Sequence, residues 1–207
     1  MNKTLSVFCF LLSAFCFSHA CLAQTGIAQQ DAARFVYQSS ISSAYGIGKN
    51  YIETDIYSNT NFAFEIQQII AYQFNHYFFT GMGVGLDFWF YEKKLSAFIP
   101  FFVNVTVKFV DRKMAPFLFA NTGYAFKWQV QKKAEADIFF GSKAGLYFQT
   151  GFGFNIKFSD KLSLLFSPYY KLQQSAIQYR KSGSELLLAE TKNQLFHFAG
   201  IKIGLLY

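Results

Sequence analysis

The sequence predicts an all-β protein: an eight-stranded antiparallel up-and-down transmembrane β-barrel preceded by a cleaved signal peptide. Three observations predict it. First, 52% of the 207 residues are hydrophobic and 21% aromatic, but only 15% are charged, where a soluble domain carries about 25%. Much of the surface therefore does not face water. Second, no segment after the first 23 residues offers the roughly 18 uninterrupted apolar residues of a membrane helix, which leaves the closed β-barrel as the fold that satisfies its backbone in lipid. Third, apolar residues recur with a period of two, which only a strand separates onto one face. The stretch from Gly141 to Lys171 is the clearest case. Ala144, Leu146, Phe148, Thr150, Phe152, Phe154, Ile156 and Phe158 share one face. Lys143, Gly145, Tyr147, Gln149, Gly151, Gly153, Asn155 and Lys157 share the other.

Residues 1–23 read as the signal peptide, with Lys3 as its positive start, Leu5 to Phe17 as an apolar core too short to span, and Cys21-Leu22-Ala23 before the cut. Cys9, Cys16 and Cys21 all fall here, so the remainder carries no thiol chemistry. A lipoprotein acceptor role for Cys21 is the rival reading, although Ser18-His19-Ala20 matches the usual acceptor context poorly. Removing the segment takes away Lys3 and leaves +6 of the formal +7. Without a dense Lys/Arg stripe, that balance points away from nucleic acid and toward anionic lipid or lipopolysaccharide phosphate, with plain solvation of loop ends as the simpler account.

Residues 24–34 are a polar periplasmic lead-in, and residues 35–207 form the barrel. The first strand, Phe35 to Lys49, has the weakest pattern, and a polar loop from Asn50 to Thr60 follows. The second, Asn61 to Phe74, sets Phe62, Phe64, Ile66 and Ile70 against Glu65, Gln67 and Gln73. Asn75-His76 is a two-residue connection of hairpin length. The third strand, Tyr77 to Tyr91, sets Met82, Val84, Leu86 and Phe88 against Gly81, Gly83, Gly85 and Asp87. The fourth, Leu95 to Phe109, contains Pro100, which lacks a ladder donor and belongs at a bulge or rim. The fifth runs from Met114 to Gln129, the long hairpin supplies the sixth and seventh, and Gln194 to Tyr207 is the eighth. Connections alternate: Asn75-His76, Asp111 to Lys113 and Ser159-Asp160 are tight, while Asn50 to Thr60, Val130 to Ile138 and Arg180 to Asn193 are longer, with Glu92 to Lys94 as the exception, a short loop in a long-loop position. Short periplasmic turns and longer outer loops are the barrel asymmetry, and an even strand count puts both termini in the periplasm.

Volume decides which face is outside. Eight strands enclose a lumen just wide enough for side chains, and the phenylalanines of the apolar face would crowd it. Glycine makes room where side chains converge, so the Gly/Lys/Gln/Asn face points inward and the apolar face meets lipid. Tyr72, Phe74, Tyr91, Trp128, Tyr169, Tyr170 and Tyr207 fall near strand ends, the level of aromatic girdles.

So patterned, the chain resembles small outer-membrane β-barrel proteins of the OmpA-barrel and OmpX type, and among them the PorT-like barrels. The C-terminal run Ile203, Leu205, Tyr207 is similar to the terminal signal read by barrel-assembly machinery. The resemblance implies insertion into the outer membrane and leaves the specific role open.

Candidate chemistry is sparse. His76 lies in a turn, and His197 begins the last strand with no serine placed beside it by sequence. A lipid A-modifying enzyme is therefore the third reading, and no catalytic set, metal spacing or cofactor motif is expected. Gly81-Met82-Gly83-Val84-Gly85 alternates within a strand, so it is no dinucleotide loop. The lumen charges say more. Glu65 and Asp87 point inward, as do Lys108, Lys127, Lys143, Lys157, Lys171 and Lys202. Buried charges need partners, so the carboxylates are expected to pair with Lys127, Lys143 or Lys171. Lys93, Lys94, Lys132, Lys133, Arg180 and Lys181 form a basic set for lipopolysaccharide on the outer loops. The leading function is structural or interactive in the envelope, with an envelope protein as a further partner. The alternative is a narrow channel for a small solute.

Overall fold

The computed structural model describes residues 34–52, 55–58, 62–91, 94–128, 138–140, 145–159, 161–180 and 189–207. The expected signal peptide and Cys21 lie outside them. The strands are β1 (Arg34–Ile47), β2 (Lys49–Ile52), β3 (Asp55–Ser58), β4 (Phe62–Gln73), β5 (Phe78–Tyr91), β6 (Lys94–Lys108), β7 (Met114–Lys127), β8 (Ile138–Phe140), β9 (Gly145–Ser159), β10 (Leu162–Arg180) and β11 (Ala189–Leu206). Eight of them, β1, β4, β5, β6, β7, β9, β10 and β11, pair in that order, and β11 returns to β1, closing an antiparallel barrel. At the seam, Tyr37 N–H donates to Tyr207 O at 2.7 Å and Tyr207 N–H to Tyr37 O at 2.9 Å.

Alternation sets the faces as expected. Glu65, Gln67 and Ile69 on β4 are buried, while Phe62 and Ile70 are exposed. The exposed set is an outward apolar belt that includes Ile41, Met82, Phe101, Val103, Phe152, Ile203 and Leu205. In a closed sheet of this size such a belt is accounted for by hydrocarbon rather than water.

Several local expectations change. Asn50 to Thr60, read as a loop, contains the β2–β3 hairpin, with Lys49 opposite Ser58. The loop read from Arg180 to Asn193 is shorter, because β10 and β11 stay paired up to Arg180 opposite Ala189. The Asn75-His76 connection spans residues 74–77, because Asn75 Oδ1 accepts the amides of Tyr77 and Phe78 at 2.8 and 2.9 Å and widens the turn. Pro100 sits at neither a bulge nor a rim. The β5–β6 register is the same on both sides of it, and the ladder skips two pairs opposite Gly85 and Leu86. Pro168 interrupts the β9–β10 ladder in the same way. The irregularity lies instead between Leu162 and Ser163, beside the turn. Gly83 shows why the inward face is rich in glycine: a Cβ there would meet the Phe102 ring at 2.3 Å.

Candidate functional site

The lumen is filled in three levels. In the middle, Glu65 on β4 and Asp87 on β5 are cross-strand neighbours, and like charges so placed repel. Lys171 reaches across from β10 to relieve them. Its ammonium donates to Asp87 Oδ2 at 2.8 Å and lies 3.9 Å from Glu65 Oε2, and all three side chains are at most 1% exposed. The Trp89 indole N–H also donates to Asp87 Oδ2, at 2.7 Å. Tyr147 O–H and the Gln67 amide each donate to Glu65 Oε1 at 2.9 Å. Charge-assisted bonds of this kind are what lets a buried ion pair survive desolvation.

A second ammonium, Lys202 on β11, donates to Gln67 Oε1 at 2.7 Å and to Gln149 Oε1. It also lies 4.5 Å from the Phe119 ring centroid. The chain of bonds continues through Asn121, whose amide donates to Gln149 at 3.0 Å, to Asn104 and Thr106. Two carboxylates and two ammoniums thus balance in the buried centre.

Above this level, on the side of the longer loops, Trp89 packs against Phe98, Phe196 and Phe198 with centroids 4.6 to 5.1 Å apart. Lys171 lies 4.8 Å from the Phe198 ring. Below it, Phe117, Phe119, Phe79, Leu165 and Leu206 are buried. These interior aromatics were not among the residues singled out from sequence. The signal was present, since Trp89 shares parity with Asp87, and Phe98 and Phe102 with Asn104. Tyr169, read as a girdle residue, points inward and is 5% exposed, and its hydroxyl meets Ser42 Oγ at 3.3 Å. Parity decides this: it shares Lys171's face.

Of the lysines expected to serve the carboxylates, Lys171 meets both. Lys127 does not, because Asp87, Phe98 and Lys127 lie along one row of β5, β6 and β7 and Phe98 stands between. Lys143 lies outside the described residues, as do Lys93, Lys132, Lys133 and Lys181. Lys94 and Arg180 are not in loops: they begin β6 and end β10. Lys157 sits at the rim, where its ammonium donates to Asp111, whose other oxygen lies 3.6 Å from His76 Nδ1. That donation holds the Asp111 carboxyl below its ordinary value of 3.8. His197 faces outward, and its ring meets the Tyr170 hydroxyl. Ile203 and Leu205 face outward on β11, and Tyr207 closes the seam. Among the described residues there is no cluster of metal-ligating side chains.

No family model matches the chain, and no curated protein matches its sequence. Solved structures do. The outer membrane protein AlkL, determined in lipid bilayers, superimposes with a TM-score of 0.54 at 12% identity, over 88% of this chain and 93% of that one. Neisserial surface protein A superimposes with 0.51 at 12% identity, over 84% and 97%. Pseudomonas aeruginosa OprG gives 0.49 at 8% identity, over 86% and 99%. At these identities the likeness is one of fold, and nothing in it singles out the PorT-like barrels. The chain has the fold of the small eight-stranded outer-membrane β-barrels.

Proposed function

We propose that this protein is an integral outer-membrane barrel that acts through its surfaces, stabilising the envelope or docking a partner, without enzymatic activity and without an open pore. The observation that supports the reading is the buried Glu65–Asp87–Lys171 triad sealed beneath the Trp89 cluster. An ion would have to strip its water and break charge-assisted bonds to pass. Both termini lie in the periplasm on this reading, on the side of the short turns. The decisive experiment is single-channel recording of the refolded chain from Gln24 in a planar bilayer, after unboiled gel migration shows that it has folded. Silence is expected, and discrete conducting steps would overturn the proposal.

A second reading, a narrow path for a small solute, draws on Gln173 and Asn155. Both are fully buried, and their amide atoms lack hydrogen-bond partners, the sign of space for water or a polar guest. The basic set Lys93, Lys94, Lys132, Lys133, Arg180 and Lys181 is the proposed lipopolysaccharide contact. Neutralising all six should weaken that binding, and undiminished binding would remove the assignment.

A further inference from the structure

On the outward face of β4 to β7 lies a groove of about 390 Å³. One wall carries Val84 and Phe101, and the other carries Ile70, Met82, Val103 and Thr122. Its floor is the backbone of the inward-facing row between them, which holds Gly83, Phe102 and Gly123. Met82 is 75% exposed, so its wall stands high. The lining is almost wholly apolar, and it sits in the membrane belt.

The same wall ends below in the β6–β7 turn, where Arg112 and Lys113 are exposed and their side chains make no hydrogen bond or ion pair among the described residues. The adjacent acid, Asp111, is already engaged by Lys157 and His76, so it does not neutralise them. Phe109 and Met114 flank the turn and are 58% and 53% exposed, which marks the edge of the hydrocarbon. Val103 lies six residues above Phe109, or about 14 Å of depth at ~3.3 Å per residue and ~45° of tilt. That is close to half of a ~30 Å bilayer core, so a chain anchored at the turn reaches the groove within its own leaflet.

We propose that the β4–β7 wall seats one anionic phospholipid of the periplasmic leaflet, with its phosphate on Arg112 and Lys113 and an acyl chain in the groove. Two exposed cations, unpaired among the described residues, supply the headgroup site, and the gap between the two outward rows supplies the seat for the chain. Lipopolysaccharide, on the opposite leaflet, does not fit this placement.

The test is native mass spectrometry of the refolded barrel released from nanodiscs made of equal parts phosphatidylglycerol and phosphatidylcholine. Retention of a single phosphatidylglycerol is expected, preferred by about thirtyfold given two basic residues at a lipid surface. Arg112→Gln with Lys113→Gln should abolish the preference, and Thr122→Trp, which fills the groove, should lower retention of both lipids. Equal retention by the unaltered barrel would overturn the proposal without recourse to any variant. So would a preference that survives the double substitution, or undiminished retention in Thr122→Trp.

Discussion

Two lysine–aspartate pairs in this molecule have the same chemistry and opposite surroundings. Lys171 and Asp87 meet in the centre of the barrel with no exposure, while Lys157 and Asp111 meet at the rim with side chains 39% and 34% exposed. The central pair is tied to Glu65, Tyr147 and Trp89, and Lys202 nearby balances the second carboxylate. The rim pair joins two neighbouring turns, which are also linked by the Lys157 amide donating to Lys113 O at 2.8 Å. Environment, rather than the pair itself, decides what each contributes. In the lumen, removing one partner strands a charge that water cannot reach. At the rim, water replaces it.

Four variants sharpen the contrast, taken from the largest effect to the smallest. Asp87→Ala leaves Lys171 with Glu65 alone at 3.9 Å and should cost about 3–5 kcal/mol in denaturant unfolding of the refolded barrel. The double variant Asp87→Ala, Lys171→Met should lose less than Asp87→Ala alone, and a double variant that is no better would refute the stranded-charge account. Trp89→Phe keeps most of the packing but removes the N–H donor to Asp87, and should cost about 1–3 kcal/mol.

Asp111→Asn should cost about 0–1 kcal/mol, and added salt should erase the difference while leaving the Asp87→Ala loss in place. The rim pair also carries a pH signature. Lys157 lowers the Asp111 carboxyl below 3.8, so the stabilisation is complete above that ordinary value and is lost as pH falls below it through the lowered one. The wild-type advantage over Asp111→Asn should therefore be flat from neutral pH to about 4 and fade only below it, as read by unfolding midpoints along a pH series.

The same contrast explains what was legible in the sequence. Strand faces were, because alternation is local: Phe62 and Ile70 face out and Glu65 and Gln67 face in, as parity requires. The inward direction of Asp87 and Lys171 was legible for the same reason. Their pairing was legible only as one of three alternatives, with Lys127 and Lys143, since they lie 84 residues apart on strands that meet only across the closed lumen. Strand stagger brings Lys171 to Asp87 and leaves Lys127 behind Phe98, and stagger is not written in any one segment. The aromatic filling was missed for another reason. Trp89, Phe98 and Tyr169 are apolar or amphipathic residues on a face recognised by its polar members, and composition misdirects where parity alone would have placed them. The expected bulge at Pro100 failed because the sheet gave up two ladder pairs there and kept its register.

The seam between Tyr37 and Tyr207 bears on the order of events in time. Strand β1 emerges first during synthesis, yet its second neighbour, β11, emerges last. Until then β1 and the growing end each present an open row of amides and carbonyls, the kind of edge that recruits stray strands. Lys171 and Lys202 enter near the end of the chain as well, so the Glu65–Asp87 repulsion goes unrelieved until β10 and β11 arrive. Closure and charge compensation therefore both require the C-terminal strands β10 and β11. A chain stalled before they arrive carries both an exposed edge and an uncompensated acidic pair, and its survival depends on something that holds the edge until the final strand docks.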